Sequence, residues 1–112
     1  MTLEQQSFAS AMQLALGHLG VVHIDAEGVV SLLVPAGGGA DETRTFTFLE
    51  PLQMIHSRIT IDVVTWHSEW PGKSREAAAM AAFSLQVQRA IETAEEWVTT
   101  LRMTPSGVVA DL

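Results

Sequence analysis

An α+β domain is predicted by three features of this 112-residue sequence: a helical apolar stripe at its start, β-prone alternating segments through its middle, and a long run of helix formers without proline or glycine near its end. The expected architecture is an N-terminal helix, an antiparallel sheet of about four strands and a long C-terminal helix packed on that sheet, in a single domain of residues 1–112.

Phe8, Met12, Ala15 and Leu19 recur at spacings of four, three and four, which places them on one helical face. Thr2 and Gln5 have the spacing of a capping box, and Gly17 and Gly20 supply a stop. Val21, Val22, His23 and Ile24 form a first strand, Asp25-Ala26-Glu27-Gly28 a type I turn with glycine last, and residues 29–34 a second strand. Both alternating sets of the second strand lack charge, as in a strand covered on both sides. Pro35 and the loop around Gly37-Gly38-Gly39 end it.

A third strand is predicted over 43–49, with Phe46 and Phe48 on one side and Thr43, Thr45 and Thr47 on the other. A fourth is predicted over 55–67, with Ile55, Ile59, Ile61 and Val63 on a dry face and His56, Arg58, Thr60 and Asp62 on a wet one. Trp70-Pro71-Gly72 breaks it. The final helix is then expected over 74–103.

Met80, Phe83, Val87, Ala90, Ala94, Trp97 and Leu101 repeat along that segment at alternating spacings of three and four, a heptad-like seam. Such a helix would be about 42 Å long, whereas a domain of this size has a radius of gyration near 13 Å. The seam therefore packs on its own sheet, meets another chain, or does both. The small residues at 77–82 would permit close approach by a neighbour. Thr104-Pro105-Ser106-Gly107 ends the helix, and the last five residues are expected to fray.

Thirteen acidic residues against six basic ones give a formal net charge of −7, which disfavours nucleic acid and anionic lipid as partners. There is no cysteine, hence no disulfide framework or thiolate nucleophile. The opening residues lack a basic segment followed by an apolar core, and no apolar run approaches the length needed to span a bilayer. The expectation is a cytoplasmic protein with no membrane partner.

Candidate chemistry is sparse. His18 follows helix one, where a cation suits the helix dipole. His23, His56 and Asp62 could converge only if their strands were neighbours, and no compact metal-ligand spacing is present. Ser68, His67 and Glu69 lie within the segment 66–70, but adjacent side chains of an extended segment point to alternate faces and do not form a triad. The glycine run lacks the phosphate-loop pattern. Glu92, Glu95 and Glu96, with Arg89 and Arg102 nearby, read as a solvated helix face. No catalytic residue, cofactor site or metal site is predicted, and the surplus apolar surface points to protein binding.

The run from Phe8 to Gly20, the β-prone residues that follow, the acidic turn and the apolar second strand resemble the opening of the class I, Tir-chaperone-like chaperones of bacterial type III secretion systems. Small size, acidity and a long amphipathic C-terminal helix are also similar to that family. The resemblance implies a homodimer that holds the N-terminal segment of a secreted effector in extended form, needing no nucleotide. Residues 35–72 depart from the pattern, because members place a second helix there and two further strands before the final helix. By surface logic Val29, Leu33, Phe46 and Phe48 are the candidate client contacts. The alternative is a self-assembling structural or regulatory α+β module without a client.

Overall fold

In a computed structural model, which describes residues 2–35, 42–61, 75–105 and 107–111, the chain is an α+β fold. Its elements in order are α1 (Leu3–Leu16), β1 (Val21–Ile24), β2 (Val29–Pro35), β3 (Thr43–Pro51), α2 (Leu52–Ile61), α3 (Arg75–Thr93), β4 (Thr100–Thr104) and β5 (Gly107–Asp111). The five strands form one sheet in the order β1-β2-β3-β4-β5. All pairs are antiparallel except β3 with β4, which run parallel. A parallel pair needs a crossover, and α2 and α3 lie within it.

The capping box forms as the sequence predicts: the Thr2 hydroxyl accepts from the Gln5 amide at 3.1 Å, and the Gln5 side chain accepts from the Thr2 amide at 3.0 Å. The first hairpin closes on Asp25, whose carboxylate accepts from the Glu27 and Val29 amides at 2.8 and 2.9 Å. Gly28 follows at φ +85°, in the left-handed region that glycine enters without steric cost.

Strand alternation gives the sheet one covered face. Val30, Leu32, Phe46, Phe48, Leu101, Met103 and Val108 are buried there against Phe8, Met12 and Leu16 of α1, Leu52, Ile55 and Ile59 of α2, and Phe83 and Val87 of α3. The Phe48 and Phe83 rings meet at 6.0 Å between centroids.

Four sequence expectations are corrected. The strand expected from residue 55 begins instead as α2: Leu52, Ile55 and Ile59, at spacings of three and four, are all buried on one helical face, and this tertiary burial overrides the β-branched composition. Residues 62–67 of that expected strand lie outside the described residues, as do the glycine run 37–39, the segment 66–70 and Pro71-Gly72. The last helix stops at Thr93, whose hydroxyl donates to the Arg89 and Ala90 carbonyls. From Thr100 the period is two, with Leu101 and Met103 buried. Thr104 pairs with Gly107, and the segment expected to fray belongs to β5, paired to β4 through five register positions. The sheet consequently has five strands and mixed direction. At 19 residues α3 is about 28 Å long, and it does not outrun the principal extents of 39, 30 and 24 Å.

Candidate functional site

The helices cover one face of the sheet, so the side chains that alternate with the core project from the other. Across the strands this open face has three rows: Val21, Leu33 and Thr45; His23, Ser31, Thr47 and Thr100; and, one step further along β3 and β4, Leu49 and Arg102, with Val109 paired to Arg102. Val21 and Leu49 are 63% and 55% exposed, and Val109 is exposed at its margin. The Ser31 and Thr47 hydroxyls lie 3.4 Å apart in the middle row. Arg102 is the permanent cation among the described side chains of this face, and the β4–β5 register sets Asp111 opposite Thr100 at the end of the middle row.

Of the four client contacts expected from sequence, Val29 and Leu33 lie on the open face and are half-buried. Phe46 and Phe48 are corrected: both point to the covered face and are fully buried. The expectation had the alternation right and the wet side wrong, because the threonines of β3 face solvent and leave the rings to the helices. Leu49 shares the threonine set, so the same alternation places it on the open face, and Val109 is reached only once residues 107–111 are recognised as a strand.

The heptad-like seam is divided. Met80, Phe83, Val87 and Ala90 are buried against the core of the same chain. Ala94 is half-buried beyond the helix end, Trp97 is 65% exposed in a turn, and Leu101 is fully buried in β4. These last three do not continue a helical stripe.

A second apolar surface lies between α1 and α3. Ala11, Leu14 and Ala15 of α1 and Ala77, Met80, Ala81 and Ser84 of α3 line a groove of about 600 Å³. Its walls are joined by the Ser84 hydroxyl, which donates to the Ala15 carbonyl at 2.8 Å and satisfies an acceptor in the last turn of α1. Leu14 stands at the rim, 86% exposed. It lies off the Phe8–Met12–Ala15 stripe, which is why periodicity did not single it out.

The histidines do not converge. His23 is on the open face of β1, whereas His56 on α2 stacks on Phe8 at 4.5 Å between ring centroids. Asp62 lies outside the described residues. Among the described residues no group of three or more histidine, aspartate or glutamate side chains is placed to hold a metal ion, and no helix is long and apolar enough to cross a membrane. Compared with protein-family models, curated proteins and solved structures, the chain finds no match.

Proposed function

We propose that the chain is a protein-binding chaperone or adaptor, not an enzyme, that holds an extended apolar segment of a client protein and works as a homodimer in the cytoplasm. Resemblance to the class I type III secretion chaperones gives the client its finer form, the N-terminal segment of a secreted effector. No cofactor enters this reading.

The observation that carries it is the open face of the sheet. Val21 and Leu33 in one outer row, and Leu49 and Val109 in the other, present apolar side chains with serine and threonine hydroxyls in the row between. Strands lie about 4.8 Å apart, so such a face offers a flat, pleated surface with both apolar and hydrogen-bonding positions. An extended segment matches it, because its own side chains alternate with the same period of two. The helix α2 after β3 adds support for the family resemblance, since it fills a position in which the sequence pattern alone leaves no helix. The order of the remaining elements differs from the family, as β4 and β5 follow the last helix.

The test is photo-crosslinking in the native cells from a benzophenone side chain placed at position 49, with position 13 on α1 as control. The expected result is one crosslinked protein, joined through its N-terminal segment from position 49 and not from position 13, and lost when Val21→Asp is added. Crosslinks of equal yield from both positions, or none from position 49, would remove the open face as a client site.

A further inference from the structure

We infer that the α1–α3 groove is where a second copy of this chain docks, with Leu14 of each copy seated between the alanine walls of the other. The inference deepens the homodimeric part of the function proposed above and is independent of the client.

Charge distribution is the first ground. All nineteen charged residues, thirteen acidic and six basic, lie outside residues 5–24 and outside residues 77–88. Those two stretches supply both walls of the groove. Two molecules of charge −7 repel one another, and within a Debye length of about 8 Å at physiological ionic strength that repulsion depends on which groups face each other. Contact through the groove brings no carboxylate of one copy against a carboxylate of the other on these walls. Depletion of charge is also the compositional mark of an interface centre.

The charge-free walls also favour a copy over a foreign helix. A heterologous partner is ordinarily steered and selected by charges opposite to those it meets, and here there are none for it to read. A two-fold contact needs only a surface complementary to itself. The groove and Leu14 form one, since a projecting leucine stands beside a recess whose floor is cut back to Ala11, Ala15, Ala77 and Ala81. A fully exposed leucine gains about 2 kcal/mol on burial. Docking there uses the helical side of the molecule and leaves the open sheet face of both copies free.

Sedimentation velocity over a concentration series tests this with the intact chain, comparing wild type with Leu14→Glu, Leu14→Ala and Leu49→Asp. The wild type is expected to dimerise. Leu14→Glu should weaken the dimer at least about tenfold, equivalent to about 1.4 kcal/mol, and Leu14→Ala should weaken it less, both with thermal midpoints equal to wild type when compared at concentrations low enough that every chain is monomeric, because Leu14 touches little of its own chain. Leu49→Asp should leave dimerisation intact. Added salt should tighten the wild-type dimer by screening the net charge. A wild type that stays monomeric up to about 1 mM, a dimer indifferent to Leu14→Glu, or a dimer that salt dissociates would each overturn the inference. A monomer that still crosslinks its client from position 49 would overturn this inference alone and leave the client reading standing.

Discussion

Gly20 lies against the backbone of Leu33 so closely that a Cβ on it would stand 2.0 Å from the Leu33 carbonyl oxygen and 2.8 Å from its carbon. This contact is where the chain leaves α1 and enters the sheet, and it lets β1 lie in register with β2 from Val21 opposite Leu33 to Ile24 opposite Val30. The obstacle is main chain, so no rotamer change relieves it. Gly20→Ala is expected to destabilise the fold by about 3 kcal/mol, the upper part of the usual range for overpacking. Gly28→Ala provides the contrast: its Cβ would meet nothing nearer than 3.8 Å, and only its φ of +85° resists substitution, at about 1 kcal/mol. Urea denaturation of both variants checks the order, and a smaller midpoint shift for Gly20→Ala than for Gly28→Ala would refute it.

Arg44 ties the segment after α3 to the sheet. Its Nη2 donates to the carbonyls of Glu95 and Val98, and its guanidinium lies over the Phe46 ring, 4.6 Å from the centroid. Both carbonyls belong to the turn that converts a helix into β4, where the main chain has left its own ladder. Arg44→Met keeps apolar cover on the ring and removes both donors. A loss of about 2 kcal/mol is expected, together with faster amide exchange at Val98 and at Thr47, whose N–H donates to the Thr99 carbonyl at 2.8 Å. Unchanged exchange at those two amides would show that the turn stands without the arginine.

Neighbours in β3 should respond in opposite ways to substitution. Phe48 is buried on the covered face and meets Phe83, while Leu49 projects from the open face. Phe48→Ala removes a core ring and should cost about 3–5 kcal/mol. Leu49→Asp should change stability by less than about 0.5 kcal/mol. Thermal midpoints of the two variants decide whether the alternation of β3 has been assigned to the correct faces. The same reasoning makes Phe46→Asp and Phe48→Asp unfolding variants rather than probes of client capture.

Much of the first half of the molecule was legible in the residues because its signals are local. Thr2 with Gln5 and Asp25 with Gly28 each act within a few positions and set the start of α1 and the first hairpin, whereas Gly17, expected to end α1 in a left-handed conformation, keeps φ −59°. The second half depended on contacts that no local signal carries. Ile55 and Ile59 fit a strand by composition and a helix by spacing, and burial against α1 and β3 decides between them. The seam from Met80 to Leu101 kept a helical spacing across the end of α3 because Ala94, Trp97 and Leu101 coincide with it, although the helix ends at Thr93. Of the candidate site, Val29 and Leu33 lie on the open face of a strand whose charge-free alternation predicted cover on both sides. The two phenylalanines were misassigned because which face of a strand is wet depends on where the helices pack.

The parallel junction of β3 and β4 supplies the last prediction. Their register covers Thr47 with Thr100 and Phe48 with Leu101, and beyond it side chains take over from the ladder. Glu50 accepts from the Met103 amide at 3.5 Å, Arg58 Nη1 donates to the Met103 carbonyl at 2.5 Å, and the two side chains form an ion pair at 3.5 Å. Glu50 is the more buried partner, with 15% of its side chain exposed against 41% for Arg58. Exposed ion pairs contribute little, so the weight falls on the Met103 amide and carbonyl that these groups satisfy. Glu50→Gln keeps an acceptor for the amide and should cost less than about 1 kcal/mol, whereas Glu50→Ala removes it and should cost about 2 kcal/mol. Arg58→Ala should expose the other half of the same device, and the double variant should lose less than the sum, with a coupling of about 0.5–1 kcal/mol. Strict additivity in urea denaturation would mean that α2 and the β3–β4 junction are held independently, and that the parallel pair persists on its two registered positions alone.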